Sequence, residues 1–325
     1  MEIKVYKTTE LTDKDWDQIV AGFNKSFNRI TTGENLANFY KSNELGYSYH
    51  AVCYENGKII GFTSILPFQY LHKEQAFKAG LSCSSFVLKE YRSDVFIFKD
   101  MIDSLKEEGV KHGYLVFLGV PNKNSHKYSI VLLGAQNVGY LPYYALPLNL
   151  FTVLGKKKNK PFEIFIATCV YIFCYINKFL SHIFNFKEKM SAYRLLITEN
   201  FHQKRFSASF YSFSKKKNIK FWYRIVNENN IKTAYLMDFR ENENRTNKAL
   251  CNAVWSILRT EQVDIILYVG TLRMKQGVLL KTPSKFVPKP LPLTYIILDI
   301  DNKQQFETMS DLNCWDFGLM NFDGR

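Results

Sequence analysis

The sequence predicts an α/β protein of two lobes, each a mixed, partly parallel β-sheet flanked by helices. The first half alternates helical and strand-like segments in the order α-α-β-β-β-α-β-α-β. Its hairpin signals indicate antiparallel pairing, and its late β-α-β unit indicates a parallel step, which needs a crossover helix. The second half repeats the order hairpin, loop, helix, strand, helix, strand. A chain of 325 residues has the length of about two domains.

The elements of the first half follow from local signals. Thr12-Asp13-Lys14-Asp15 is a capping box at the start of a first helix. Asn56-Gly57 is the strongest hairpin signal, and it lies between strand-like segments 47–54 and 58–66. The remaining predictions are helices at 34–42, 98–108 and 124–133, strands at 76–88 and 114–118, and an extended segment at 140–153.

The second half contains strand-like segments on either side of the turn Asn229-Asn230. The predicted elements are strands at 221–225, 233–239, 263–269 and 293–298 and helices at 247–260 and 272–280. We therefore expect an N-terminal domain over 1–153, a basic, amphipathic helical insert or linker over 154–200, and a degenerate C-terminal domain over 201–325.

The formal net charge of +13 is concentrated in the middle of the chain. Residues 151–220 hold 14 Lys and Arg against three acidic residues, a net charge of +11. Within this segment, residues 161–186 are rich in aromatic and aliphatic side chains at helical spacing. Their longest charge-free run, 164–177, is 14 residues, whereas a membrane span needs about 20. The pattern predicts an amphipathic helix.

Three interpretations of this basic, apolar segment stay open. The first is a helix or helical hairpin packed on the protein's own domains. The second is an interfacial helix that binds an anionic membrane surface through residues 156–187. The third, a nucleic-acid patch, is the weakest because no recognised binding motif accompanies the charge.

The six cysteines form no C-x-x-C pair, and no histidine follows them at metal-ligand spacing, so we expect no metal site. The N-terminus has no apolar region of the kind found in signal peptides. These observations predict a reduced, cytoplasmic protein, peripheral on the inner face of the membrane if the basic segment binds lipid.

Three motifs of the first half occur in a characteristic order. They are the hairpin Asn56-Gly57-Lys58-Ile59-Ile60-Gly61-Phe62, the strand end Phe86-Val87-Leu88-Lys89-Glu90-Tyr91-Arg92, and a helix that begins at Pro121-Asn122-Lys123-Asn124-Ser125 and ends at Gly134. In this order and spacing, residues 1–153 resemble the GNAT acetyltransferase family. The whole chain resembles tandem GNAT-type proteins of bacterial surface-polysaccharide gene clusters.

The resemblance implies that two adjacent parallel strands splay and that an acyl-CoA co-substrate, acetyl-CoA in the simplest case, binds between them. Its pyrophosphate would lie on backbone N–H groups at the start of the next helix. Val95 and Ile97 stand where the family has small residues. The co-substrate residues implied are Ser85, Phe86, Val87, Arg92, Ser93, Asp94, Val95, Phe96, Asn122 and Ser125. The candidate acid–base residues are Glu90, His50 and Tyr128.

Three functions follow as hypotheses. The first is N-acyl transfer from acyl-CoA to an amine acceptor, a small molecule or an amino-sugar of a polysaccharide precursor. The second is a catalytically degenerate GNAT-fold protein that binds or scaffolds at a membrane surface, which the missing small residues favour. The third is aminoacyl transfer from tRNA, as in tandem-GNAT peptidoglycan-bridge enzymes.

Overall fold

The computed structural model describes residues 1–28, 30–153, 155, 160–299 and 303–322. Two mixed β-sheets are flanked by helices, which confirms the predicted α/β fold class. The lysines at 156–158, at the start of the predicted membrane-binding segment, lie outside the described residues.

The first half begins with a strand that the sequence did not predict, and then follows the predicted order. Its elements are β1 (Glu2–Lys7), α1 (Asp13–Phe27), α2 (Gly33–Lys41), β2 (Tyr49–Glu55), β3 (Lys58–His72), β4 (Gln75–Val87), α3 (Phe96–Lys111), β5 (Tyr114–Gly119), α4 (Lys123–Val131), β6 (Gln136–Tyr140) and β7 (Tyr143–Pro147).

The local signals act as predicted. The Asp15 backbone N–H donates to Thr12 Oγ1 at 3.3 Å, and the Thr12 N–H donates to the Asp15 carboxylate at 3.0 Å, which completes the capping box of α1. Asn56 and Gly57 have φ of +49° and +75°. Positive φ at both central residues is what a tight two-residue hairpin turn requires.

The second half continues with a short helix and a long one before its own sheet. Its elements are α5 (Leu150–Val153), α6 (Lys160–Ile183), β8 (Tyr193–Leu195), α7 (Phe201–Arg205), β9 (Tyr211–Lys216), β10 (Ile219–Glu228), β11 (Ile231–Glu241), α8 (Asn247–Thr260), β12 (Ile265–Val269), β13 (Leu280–Lys281), β14 (Pro292–Ile297) and β15 (Trp315–Asp316).

Two sequence predictions in this region differ from the structure. Residues 272–279 form a loop, so the helix predicted at 272–280 is wrong. The Gln276 side chain bonds both the N–H and the C=O of Leu279, each at 2.9 Å, and closes a turn in place of a helix. The extended segment predicted at 140–153 is strand only as far as Pro147, and it ends in α5.

The two sheets exchange strands. In the first sheet the order is β1-β2-β3-β4-β5-β14-β6, so a strand from the end of the chain lies between β5 and β6. In the second sheet the order is β13-β7-β12-β11-β10-β9, so β7 from the first half lies between β13 and β12. The first sheet also includes β8, which pairs with β3, and β15, which pairs with β8. Each lobe therefore completes its sheet with strands from the other half, which ties the two lobes together.

Helices cover the sheets. The core on one face of the first sheet contains side chains of α1 and α2, and a separate core on the other face contains side chains of α3. α8 packs on the second sheet, and α6 packs on α8, where Tyr171 lies 4.7 Å from Trp255 between ring centres.

The helix predicted within residues 161–186 is present as α6, but its apolar stripe faces away from the protein. Cys174 and Ser181 are buried on the side that faces the protein. The opposite side exposes a row of large apolar residues at helical spacing, namely Phe165, Ile172, Ile176, Phe179 and Ile183. Only 11% of the most apolar window of the helix is buried. By length and composition Pro161–Ile183 also meets the requirement for a membrane span, unlike the 14-residue run read from the sequence.

Candidate functional site

The first sheet opens between its two central parallel strands. The β4–β5 ladder runs from the pair Lys78 and Tyr114 to the pair Ser82 and Gly119. β4 then continues five residues further, to Val87, along its other neighbour β3. β5 ends at Gly119, and a cleft begins there between residues 82–85 of β4 and residues 119–121.

A β-bulge bends β4 where the cleft begins. Phe62 pairs with Phe86 and Ser64 pairs with Cys83, so two residues of β4 stand opposite the single residue Thr63. The first of them, Ser84, has a φ of +55°. A bulge leaves a residue without a ladder partner and bends the strand. Ser84 and Ser85 both line the cleft, so the bulge lies in its wall.

The cleft has a volume of about 320 Å³. β4 contributes the polar run Ser82, Cys83, Ser84 and Ser85; α4 contributes Ser125 and Ser129, and its N-cap residue Asn122 lines the cleft as well. The rest of the wall is largely apolar and includes Phe23, Phe27, Phe39, Phe98 and Phe322. Lys289 and Thr294 add two more polar side chains from the second half of the chain. A largely apolar cavity with a small number of polar groups is typical of a small-molecule site.

The N-terminus of α4 forms one end of the cleft. Asn122 caps the helix, because its side-chain oxygen accepts the N–H groups of Asn124 at 2.9 Å and Ser125 at 3.0 Å. Of the co-substrate residues implied by the resemblance, the cleft wall includes Ser85, Asn122 and Ser125.

The loop between β4 and α3 lies outside that wall. Arg92 donates through Nε to the Val87 carbonyl at 2.7 Å, which ties this exposed side chain to the end of β4. Asp94 accepts the N–H of Phe96 at 3.0 Å. One of the N–H groups at the start of α3 thus already donates to a carboxylate of the chain itself. Ser93, Val95, Phe86 and Val87 are likewise outside the wall.

His50 is enclosed in the core of the first lobe. Its Nε2 and Nδ1 each lie 2.8 Å from a hydroxyl oxygen, of Thr8 and of Ser64 respectively. Burial lowers the pKa of His50 to about 3, so the ring is neutral at physiological pH. The structure places this candidate base among hydrogen-bonding partners, away from the cleft wall.

The other two candidate acid–base residues are on the surface. Glu90 lies 3.6 Å from Lys25, and both side chains are exposed. Tyr128 is exposed on α4 and is not part of the cleft wall. The structure therefore does not bring Glu90, His50 and Tyr128 together.

Cys83 is the ionisable group of β4 that lines the cleft. Burial raises the pKa of its thiol to about 12. A thiol with that pKa is protonated at neutral pH and is a poor nucleophile. In the part of the chain that the structure describes, the cleft wall contains no carboxylate and no histidine.

The corresponding opening of the second lobe is filled by the chain itself. The β11–β12 ladder ends at the pair Tyr235 and Leu267. The segment after β15 enters there: the Thr271 N–H donates to the Phe317 carbonyl at 2.8 Å, and the Leu319 N–H donates to the Val269 carbonyl at 3.1 Å. This leaves the first lobe as the one whose cleft is open.

A buried ionic cluster anchors that filling segment. Asp238 accepts from Arg240 Nε at 2.7 Å and from Arg245 Nε at 2.8 Å, and Arg245 also contacts Asp316 at 2.6 Å. Burial alone would raise the pKa of Asp238, but the two guanidinium groups hold it well below its usual range. Among the described residues, no group of three His, Cys, Asp or Glu side chains is arranged to hold a metal ion.

The sequence missed several residues of the cleft. The run Ser82-Cys83-Ser84-Ser85 interrupts an otherwise apolar strand, and that was the available signal. For Phe322 the sequence offered no signal, because this residue reaches the cleft from the far end of the chain.

Comparison with solved structures gives the fold. A GCN5-related N-acetyltransferase from Anabaena variabilis is similar, with a TM-score of 0.56 and 12% identity over 92% of this chain and 74% of that one. A Saccharomyces cerevisiae N-myristoyltransferase with bound myristoyl-CoA gives a TM-score of 0.55 and 10% identity over 90% of this chain and 82% of that one. A probable N-acyltransferase from Enterococcus faecalis gives a TM-score of 0.53 and 13% identity over 94% of this chain and 74% of that one.

At these identities the likeness shows a GNAT-type fold. No family model matches the sequence, and no curated protein matches it.

Proposed function

We propose that this protein is an N-acyltransferase that moves an acyl group, acetyl in the simplest case, from acyl-CoA to an amine. The observation that carries the proposal is the cleft at the end of the β4–β5 ladder, with the bulge at Ser84 in its wall, on a fold of the GNAT type. The acyl-CoA hypothesis from the sequence requires a splay of two adjacent parallel strands at this place.

The cleft offers the kinds of groups that such a co-substrate needs. The edge of β4 beyond Ser82 presents backbone groups for the amides of the pantetheine arm, and Asn122 and Ser125 stand at the start of α4. Arg92 and the loop 91–96 are proposed for the pyrophosphate. An apolar wall on the side of α1 and α2 suits the acyl group.

Direct transfer is the mechanism that these residues support. The amine nitrogen attacks the thioester carbonyl, the carbon–sulfur bond breaks, and the amine proton leaves to solvent while the CoA thiolate is protonated. Backbone N–H groups of β4 would stabilise the developing oxyanion. Since the Cys83 thiol is protonated at neutral pH, an acyl-enzyme on this residue is not part of the proposal.

For the acceptor we propose a small-molecule amine, with an amino-sugar of a polysaccharide precursor as the specific candidate. Its support is the resemblance of the sequence to tandem proteins of surface-polysaccharide gene clusters. The experiment is a thiol-release assay with acetyl-CoA and a panel of amines, in which at least one amine should raise CoA release above hydrolysis. Release that is the same with and without every amine contradicts the proposal.

The outward face of α6 favours a second role, peripheral binding to an anionic membrane. Phe165, Phe179 and Ile183 are 63%, 59% and 58% exposed. Cations lie on the other side of the helix, next to α8: Lys178 stands 5.1 Å over the Trp255 ring, and burial lowers its pKa, which the nearby charges of Lys216 and Arg259 lower further. Apolar side chains that insert, beside cations that attract anionic headgroups, characterise interfacial helices. We propose that α6 holds the protein on the inner face of the membrane.

A further inference from the structure

Arg205, in the short helix α7, is a buried cation whose two terminal nitrogens have no partner among the described residues. The residue is 1% exposed. Its Nε donates to the Met320 carbonyl at 3.0 Å, whereas neither Nη1 nor Nη2 has a hydrogen-bond partner in the ranges that the structure describes, which end at residue 322. Burying a charged group removes its hydration, which costs folding free energy. Buried charges are therefore normally paired with a counter-ion. The free end of this guanidinium is therefore a place where an anion is expected.

The guanidinium lies behind the wall of the open cleft: Arg205 is not itself one of the residues that line the cleft, but it is close to two of them, Phe39 and Cys83. Its central carbon is 5.7 Å from the centre of the Phe39 ring. Its charge also acts on Cys83, where it partly offsets the rise in thiol pKa that burial causes. Phe39 and Cys83 both line the cleft, as does Phe322, two residues after the carbonyl that Arg205 holds.

The other buried arginines differ from Arg205 because each forms an ion pair with a carboxylate. Arg240 and Arg245 are each paired with the Asp238 carboxylate in the second lobe. His202, on the same short helix as Arg205, is bonded to Asp238 as well, at 2.7 Å. No acidic side chain forms an ion pair with Arg205 in the described part of the chain.

We propose that Arg205 binds an oxyanion, a carboxylate or a phosphate, carried by the acceptor molecule. This deepens and rests on the proposed acyl transfer. With Nε already used, the free Nη1 and Nη2 can each donate to one of two oxygens of the same group, a geometry that carboxylates and phosphates share. The acceptor would then carry both an amine and an acidic group, and Arg205 would hold the acidic group beside Cys83 and the bulge.

Anion binding is tested first, without acyl-CoA. Thermal unfolding of the full chain is followed in potassium chloride and, at equal ionic strength, in potassium phosphate or potassium acetate. Phosphate or acetate should raise the unfolding midpoint of the wild type, since a ligand of the native state stabilises it. Arg205→Met should weaken the apparent affinity at least tenfold, and Arg194→Met, which alters a surface ion pair with Glu74, should leave it unchanged.

Arg92→Met separates this site from the loop proposed for the pyrophosphate. A response that disappears in Arg92→Met and persists in Arg205→Met overturns the proposal, as does a wild type that responds to neither anion. The Met variant also tests a purely structural role. If Arg205 only holds Met320 and packs on Phe39, the variant unfolds at a lower temperature in chloride and the wild type shows no anion response.

Acceptor choice is tested with a matched pair of amines, glucosamine and glucosamine 6-phosphate. The wild type should acetylate the phosphorylated amine with at least tenfold higher kcat/KM, and Arg205→Met should remove that preference while acetyl-CoA binding is unchanged. Equal preference in the two proteins overturns the acceptor assignment. Failure of acyl transfer itself is distinguishable, because the anion response would then remain while no amine is acetylated.

Discussion

Gly270 and Gly318 face each other across an antiparallel bridge where the filling segment enters the second lobe. A Cβ atom on Gly270 would lie 2.4 Å from the Cα of Gly318 and 2.5 Å from the Phe317 carbonyl oxygen. The backbone of Gly270 also has a φ of +140°, a conformation that residues with a side chain rarely adopt. The closure of the second cleft thus depends on the absence of a side chain at this position.

Gly270→Ala should therefore lower the free energy of unfolding by roughly 2–4 kcal/mol, through backbone overlap and strain. The matched control is Gly113→Ala, where φ is +73° but nothing lies within 4 Å of the added Cβ. It should cost about 1–2 kcal/mol, since only the left-handed backbone is strained. Urea unfolding of both variants measures the difference, and equal losses would contradict the close approach.

His50 predicts a specific acid sensitivity. Its pKa is lowered to about 3 in the native state by burial, whereas an unfolded histidine titrates near 6.5. Between these pH values the unfolded chain binds a proton at His50 that the native chain does not. The contribution of the neutral His50 to the free energy of unfolding is therefore fully present above about pH 6.5 and declines as the pH falls. The slope from this residue is about 1.4 kcal/mol per pH unit.

Urea unfolding at pH 7 and pH 5 checks this slope. The wild type should lose about 2 kcal/mol more than His50→Gln between the two pH values. Gln retains a hydrogen-bonding side chain but does not titrate. An equal loss in both proteins would mean that His50 is not held neutral.

Direct transfer predicts that Cys83 is not an acyl carrier. Because burial raises its pKa to about 12, the thiolate needed for nucleophilic attack is scarce at neutral pH. Cys83→Ser should keep kcat/KM within roughly threefold of the wild type. Intact-mass spectrometry after incubation with acetyl-CoA alone should show no added acetyl group. An acetylated wild type that the serine variant lacks would establish a two-step mechanism instead.

The outward stripe of α6 predicts binding to anionic but not to zwitterionic vesicles. Replacing Ile172, Ile176 and Phe179 together with Gln should abolish co-sedimentation without unfolding, because these side chains are exposed. Replacing Lys215, Lys216 and Lys217 with Gln, or raising the salt, should weaken binding through the electrostatic attraction. Val131→Gln with Phe286→Gln, two exposed apolar sites away from α6, is the control. Equal, negligible binding to both vesicle types at low salt would contradict the role.

The sequence predicted best what is decided locally. The capping box of α1, the Asn56-Gly57 turn and the bounds of α8 depend on residues close together in the chain. The α6 helix was predicted from its periodicity, but its orientation was not. A periodic stripe indicates that one side of a helix is apolar, and only the packing of Cys174 and Ser181 toward the protein shows which side faces out.

The sequence could not predict the strand exchange or the buried arginine. Thr294 of β14 pairs with Gly119 of β5, far away along the chain, and no local pattern specifies that partner. Arg205 sits in a run of polar and basic residues that reads as a solvated surface. Its burial follows from contacts with Phe39 and Met320, at opposite ends of the chain. The predicted domain boundaries and site residues remain predictions.

A calorimetric titration with acetyl-CoA tests the central claim most directly. The wild type should bind with a micromolar dissociation constant. Ser125→Trp, which fills the cleft from α4, should remove the binding, whereas Lys127→Trp, on the exposed side of the same helix, should retain it. No heat of binding from the wild type up to millimolar acetyl-CoA, or equal binding by the two tryptophan variants, would contradict the account.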